Sequence, residues 1–243
     1  MGIMDLLIKN RLDINRELDT AEKRKWFSPC TFCNNDQVKD AVTNHCRGRV
    51  LDVGCGDMPL RGLIMSVADQ YDTLDVEART DGVTYIGEAQ DMHMIEDSSY
   101  DTVLCFAVLE HVAEPFKAVD EIQRILKPGG KAILTVPHLC RIHEAPHDYY
   151  RYTYYGVEYM MKRTGLTVET LEQSGGLFTF LGHQFSTVFL GLTWHVPVIK
   201  RMAFFLNRWL VVRLSIFLDR FAGSNFASGY LCVASKGKSE ASG

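Results

Sequence analysis

The run Val53-Gly54-Cys55-Gly56-Asp57 follows an apolar, β-rich stretch, Val50 to Val53, and precedes residues with helical spacing. Two positions without a Cβ let a bound molecule come close to the main chain, as nucleotide-type ligands require. A dinucleotide fingerprint, G-x-G-x-x-G, needs its third glycine at position 59, and this chain has Pro59 there. NAD is therefore disfavoured. Asp75 lies 19 residues after Gly56, at the end of the next β-rich run, where a carboxylate can accept both protons of a ribose diol.

A second set of reactive side chains comprises Glu110 and His111 in Leu-Glu-His-Val, then His138, His143, His147 and Asp148 in PHLCRIHEAPHDYYRYT. Histidine titrates near neutrality and can take a proton from a nucleophile at physiological pH. His147 and His111 are the expected bases. The plainer reading makes Glu110 a helix cap, His111 a packed ring and the later histidines surface groups. Tyr149, Tyr150, Arg151 and Tyr152 come next, where Arg151 is expected to clamp a carboxylate or phosphate and Tyr149 to line a planar substrate. Tyrosines sealing a bound cofactor are the alternative. Cys30-x2-Cys33-x12-Cys46 approaches zinc-ligand spacing, but three thiols fall short of the usual four ligands, and His45 adjoins Cys46 rather than lying a turn away. Small buried thiols, with no metal, are expected.

These groups need a scaffold that gathers strand ends. From about residue 48, short β-rich runs alternate with helical-period segments, which indicates an α/β fold with a mostly parallel sheet flanked by helices. Candidate strands are Val50–Val53, Thr73–Val76, Thr84–Ile86, Asp101–Phe106, Ala132–Val136, Thr167–Leu171 and Tyr230–Ala234. Leu60, Leu63, Ile64 and Val67 mark one helix face, with Asp57 as its expected N-cap and Pro59 tolerated in the first turn. A second helix is expected from Pro115 to Lys127, stopped by Lys-Pro-Gly-Gly. Composition agrees: 243 residues with 47% hydrophobic, 23% charged, 19 Gly and 7 Pro exclude disordered and collagen-like chains. A net charge of −4 supplies no global basic field, so no nucleic-acid partner is expected. Seven cysteines, an odd number in a chain this long, indicate a reducing, cytoplasmic setting. The N-terminus has no apolar stretch long enough for a signal peptide, and Leu6 stands where N-myristoylation wants Ser or Thr.

Taken in order, VLDVGCGDM, TLDVE, GEAQDM, SYDTVLCFAVLEHV, ILKPGGKAILTVPH and HDYYRYT are similar to the motifs of class I S-adenosylmethionine-dependent methyltransferases, in the group whose first motif reads LDVGCG. The resemblance covers roughly Arg49 to Thr153. It implies a Rossmann-like, doubly wound fold, S-adenosylmethionine as cofactor with S-adenosylhomocysteine as product, and a small-molecule acceptor. It further implies Gly54 and Gly56 against the methionine moiety, Asp75 on the ribose hydroxyls, Glu88 and Ala89 at the adenine edge, and Phe106 beside the cofactor. Asp52 would orient the loop, or the ligand's amino group through a water. Three positions depart from the group: Met58 where a third glycine is frequent, Glu88 where Asp is frequent, and both Asp75 and Glu77 where one acid is usual. Some such enzymes acting on catechol-like or ribose hydroxyls bind magnesium through Glu-x-x-Glu-His; Ala107 replaces the first Glu here, so magnesium is not expected unless His147 or Asp148 supplies the missing ligand. Because a sulfonium methyl is already electrophilic, positioning can carry most of the transfer.

Four segments are expected: an N-terminal helical lid (1–47), the cofactor-binding core (48–171), a hydrophobic helical insertion (172–227), and the last strand with a flexible tail (228–243). Residues 175–199 contain no Asp, Glu, Lys or Arg, although His183, Gln184, His195 and Pro197 argue against a membrane span. Residues 196–221 carry Lys200, Arg201, Arg208, Arg213 and Arg220 against Asp219, net +4, among bulky apolar side chains. Periodicity leaves open a cap over an apolar substrate, a homodimer face and peripheral membrane contact through 175–221. Two functions follow: methyl transfer to a small, lipophilic acceptor, or a catalytically silent cofactor-binding protein that acts as a scaffold or membrane-associated partner through 175–221.

Overall fold

The computed structural model describes residues 2–18, 20–222 and 225–238. The chain divides into two compact units, Val38–Gln173 with Gly229–Gly243, and Met1–Gln37 with Ser174–Ser228.

The first unit is built on a seven-stranded sheet: β1 (Arg49–Val53), β2 (Gln70–Asp75), β3 (Tyr85–Ile86), β4 (Tyr100–Phe106), β5 (Leu126–Pro137), β6 (Leu166–Ser174) and β7 (Gly229–Lys236). Their spatial order is β3-β2-β1-β4-β5-β7-β6. β1 runs parallel to β2 and β4, β2 to β3, and β4 to β5, while β7 runs antiparallel to β5. The central runs are apolar almost continuously because parallel strands are covered on both faces. On one face Val38, Ala41, Val42 and Cys46, from the end of helix α3 (Pro29–His45), pack with Ile64 of the short helix α4 (Arg61–Met65). On the other, Ala118, Val119, Ile122 and Ile125 of α5 (Pro115–Ile125) and Val157, Met160 and Met161 of α6 (Tyr154–Arg163) bury against the sheet. Pro115 opens α5 where no N–H partner is needed. Thr153 caps α6, its hydroxyl accepting from the Gly156 N–H at 3.1 Å. The chain leaves β1 toward β2 and β3 on one side, then returns to lay β4 on the other. Ligands in such sheets bind at that reversal, outside the strand C-termini.

Two local expectations need correction. Asp57 is not a helix N-cap: Met58 N–H donates to the Cys55 carbonyl and Arg61 N–H to the Met58 carbonyl, so tight turns occupy the chain until Leu60, the actual N-cap. The apolar face of Leu60, Leu63, Ile64 and Val67 is still the packed one. Nor does Lys-Pro-Gly-Gly stop the helix, which ends at Ile125. Leu126–Pro137 is one strand whose register against β4 jumps between Tyr100↔Leu126 and Thr102↔Lys131, so the motif forms a bulge inside β5.

The second unit contains α1 (Ile3–Glu17), α2 (Ala21–Arg24), the start of α3, α7 (Leu177–Thr193), α8 (Pro197–Leu206) and α9 (Arg213–Asp219), with a π-helical stretch over Asn207–Val212 between the last two. Its core is Ile14, Leu18, Phe27, Leu190, Trp194 and Ala203. Buried Asn207 ties the π-stretch inward: its amide donates to the Trp26 and Phe27 carbonyls, and its oxygen accepts from Ser186. The Asp219 carboxylate accepts from the N–H groups of Gly176, Phe178 and Thr179, satisfying the start of α7. Among the described residues no helix is long and apolar enough to cross a membrane.

Candidate active site

At the C-terminal end of β1 the chain turns through Gly54 at φ +70° and Gly56 at φ +51°. A Cβ on Gly54 would lie 2.3 Å from Val108 Cγ2, so only glycine lets the β4–α5 turn close on this loop. A Cβ on Gly56 would meet nothing within 4 Å, which leaves open space against the main chain there. The loop is pinned from β2: Gly54 N–H donates to the Leu74 carbonyl at 2.7 Å, and Gly56 N–H to Asp75 Oδ2 at 2.9 Å. Asp75 is buried and also accepts from the Glu77 N–H, whereas the Glu77 side chain is exposed and pairs with Arg79. Asp75 thus holds the loop, with carboxylate lone pairs to spare. Asp52, one residue before the end of β1, accepts from the Tyr71 hydroxyl at 2.8 Å. Burial, with the nearby Asp75 charge, pushes its carboxyl up to about 7 against the pull of that hydrogen bond.

Beyond β3, Glu88 is exposed and accepts from the Gln90 amide, and Ala89 is buried in the core. Asp91 pairs with His93 and is held below the usual carboxylate range by that hydrogen bond. Phe106, at the end of β4, is half-buried against the cluster that contains Val50 and Ile64.

The turn after β4 and the loop after β5 meet. Ala107 takes φ +53°, an unfavourable conformation for a residue with a Cβ, and the 3₁₀ turn Leu109–His111 follows. Tyr149 N–H donates to the Glu110 carbonyl, the Tyr152 hydroxyl to the Leu109 carbonyl and the Tyr150 hydroxyl to the Ala113 carbonyl. His111 Nδ1 lies 2.6 Å from the His147 carbonyl. Expected bases His111 and His147 are therefore joined, though through main chain; the exposed His147 ring faces the Tyr149 hydroxyl at 3.0 Å. Arg151 has a different job from the one expected. Its Nε donates to the Cys140 carbonyl, Nη1 to Asp148 and the Tyr150 carbonyl, and Nη2 to Asp148 and the Arg141 carbonyl. All five N–H groups staple the loop, leaving none to clamp a substrate. The paired guanidinium holds the Asp148 carboxyl far below its usual range.

The sequence places Glu110 among the reactive side chains, with a helix cap as the plainer reading, and gives no sign of its burial. Its side chain is 1% exposed, and neither carboxylate oxygen has a hydrogen-bond partner. Burial pushes its carboxyl up to about 7, against the pull of the nearby His111 and Arg151. His143 meets His111 edge-on, ring centroids 4.8 Å apart. The spacing of Asp148 and Arg151, three residues apart, hinted at the staple; the meeting of Glu110 with His143 had no local signal. Burial raises the Cys33 and Cys46 thiols to about 11 and about 12.

Residues 51–134 match the family model of a methyltransferase domain. The chain is 34% identical over 100 residues to a ubiquinone biosynthesis O-methyltransferase of Xanthomonas oryzae pv. oryzae, a match spanning 36% of this chain and 42% of that protein. It thus spans about half the length, or less, of the curated relatives of this kind that it matches. Among solved structures it resembles the [4+2]-cyclase SpnF, with TM-score 0.58, 17% identity and coverage of 84% of this chain and 81% of the other. It also resembles phosphoethanolamine N-methyltransferase 2 of Haemonchus contortus, solved with S-adenosyl-L-methionine, with TM-score 0.55, 20% identity and coverage of 94% and 60%. The sheet order and glycine loop are those of a Rossmann-like fold, and residues 51–134 within it match a methyltransferase domain.

Proposed function

We propose that the protein transfers a methyl group from S-adenosylmethionine to a small, lipophilic acceptor and releases S-adenosylhomocysteine. The observation that carries this is the Gly54–Gly56 loop: main chain pinned to Leu74 and Asp75 on one side, with open space at Gly56 on the other. The residues fit the cofactor. Gly54 and Gly56 admit its methionine moiety, Asp75 has lone pairs left for ribose hydroxyls, and Glu88 and Ala89 line the adenine edge, with Asp91 one turn on as the other acid within range. Asp52 orients the loop or the cofactor's amino group through a water, and Phe106 lies beside the cofactor. When bound, the cofactor supplies an activated methyl; the chain's part is to orient it and its acceptor and to accept a proton where the nucleophile carries one. His147, exposed and paired to the Tyr149 hydroxyl, is the better placed base; His111 braces the loop that carries it. The relatives named as O-methyltransferases support a hydroxyl acceptor. Because one neighbour of this fold is a cyclase, turnover has to be measured as label: incubation with methyl-labelled cofactor and a set of lipophilic phenols should yield labelled product. No label in any acceptor, alongside tight cofactor binding, would favour a silent binding protein.

For 175–221 we propose peripheral contact with an anionic membrane surface from the cytoplasmic side. Val198, Met202, Phe205, Leu210, Phe217 and Phe221 are each more than half exposed, beside the exposed cations Arg201, Arg213 and Arg220. Phe178, Leu181, Phe185, Leu210, Leu214 and Leu218 line an open apolar groove of about 320 Å³ on the same unit. Apolar side chains rimmed by cations suit a lipid surface, and a lipophilic acceptor would be met there.

A further inference from the structure

We infer that Glu110, His111 and His143 form a binding site for one divalent cation of the zinc class. Their ligand atoms all lie within 4.8 Å of one another. Glu110 Oε1 is 3.9 Å from His111 Nε2 and 3.8 Å from His143 Nε2. Donors arranged tetrahedrally about zinc lie about 3.3 Å apart, so the two Glu110 contacts are already close to ligand spacing and the third pair, within 4.8 Å, closes by a side-chain rotation.

The hydrogen bonds around the two rings decide which atoms face inward. A carbonyl only accepts, so the 2.6 Å contact to the His147 carbonyl makes His111 Nδ1 the protonated nitrogen and leaves Nε2 with a lone pair. His143 Nδ1 lies 3.3 Å from the Arg141 carbonyl and 3.5 Å from Asp148 Oδ2, two acceptors, which leaves its Nε2 unprotonated as well. In the neutral rings two imidazole lone pairs therefore converge on the Glu110 carboxyl group. Glu110 is 99% out of solvent by side chain, and its oxygens have no hydrogen-bond partner, a costly arrangement that a cation would relieve. Metal-bound histidines donate their remote N–H to a carbonyl or carboxylate in this way, fixing tautomer and ring angle. Asp148 is itself fixed by the Arg151 staple.

Two imidazoles and one carboxylate suit zinc and its first-row neighbours rather than magnesium or calcium, which prefer all-oxygen shells. Ala107, which removes the first acid of a magnesium motif, is no obstacle, because His143 supplies the third donor from the loop after β5. On the exposed side Glu144 Oε2 stands 3.9 Å from His111 Nε2, and water or an acceptor hydroxyl would complete the shell from solvent. A hydroxyl bound there would ionise near neutral pH, with His111 a ligand and His147 left as the base.

The test uses the full chain stripped with chelator, titrated with zinc alone, with cobalt(II) as a spectroscopic stand-in. One equivalent should bind per chain, and cobalt should give visible absorption of a low-symmetry nitrogen–oxygen site. His143→Ala and Glu110→Gln should each weaken zinc binding at least about 100-fold, since even outer ligands are worth 10- to 100-fold. Replacing Cys30, Cys33 and Cys46 by serine should change nothing. His143 is on a half-exposed loop, so its variant keeps the question answerable if Glu110→Gln fails to fold. Substoichiometric binding, binding indifferent to both variants, or binding that follows the cysteines overturns the inference. It rests on these three side chains and not on methyl transfer: zinc binding without turnover retains it, and turnover without zinc binding removes it.

Discussion

Two buried acids sit side by side at the end of β1 and β2, and they do different things. Asp75 is bound by two N–H groups and holds the glycine loop; Asp52 has one phenol partner and a carboxyl pushed up to about 7. Asp75→Ala should weaken S-adenosylhomocysteine binding by about 1–3 kcal/mol, the cost of unpaired hydrogen-bonding groups, read by calorimetry; unchanged affinity would shift the ribose role to Glu77. Asp52 acts on stability. A carboxyl whose folded value lies above its unfolded one favours folding most at low pH, and that contribution fades as pH rises through the folded value. Urea melts from pH 4 to pH 8 should therefore show stability falling toward neutrality, and Asp52→Asn, which still accepts from Tyr71, should flatten that fall. If wild type and variant keep parallel profiles, Asp52 is not the group responsible. At the base, His147→Ala should lower kcat by about 10²- to 10⁴-fold while sparing cofactor affinity; full turnover would mean catalysis by positioning alone.

Elements were legible where their signal is local and were not where a neighbour decides. The runs LDV, VLCF and ILTV read as buried strands because nothing but a parallel sheet covers such short apolar stretches on both faces. Lys-Pro-Gly-Gly reads as a stop, since proline and glycine end helices in general; here β4 pairs across it and turns it into a bulge. Glycine spacing pointed to the loop, and family motif order to its ligand. The placing of His143 beside Glu110 depends on a loop folding back 33 residues later, which no spacing rule reports. In the helical unit, Asp219 lies 43 residues from the Gly176 N–H it accepts. Asp219→Ala leaves three N–H groups at the start of α7 without that acceptor and should cost about 1–3 kcal/mol of stability in denaturant melts; a cost near zero would mean that water replaces it.

At the scale of the whole molecule, a sheet unit that carries the glycine loop and a helical unit that exposes Phe205, Phe217 and Phe221 beside arginines are encoded in one chain. Vesicles containing anionic lipid should pellet the protein at low salt and release much of it as salt rises, because exposed charges are screened beyond about 10 Å at 0.1 M. Salt-insensitive dimerisation in solution with no vesicle binding would assign that face to a second copy instead. Both units matter to function only if the loop at Gly54–Gly56 holds its cofactor. Calorimetric titration of the full chain with S-adenosylhomocysteine and, separately, with NAD measures that directly. Stoichiometric binding of S-adenosylhomocysteine with no heat from NAD is the predicted result; NAD binding with no response to S-adenosylhomocysteine would contradict the account at its centre.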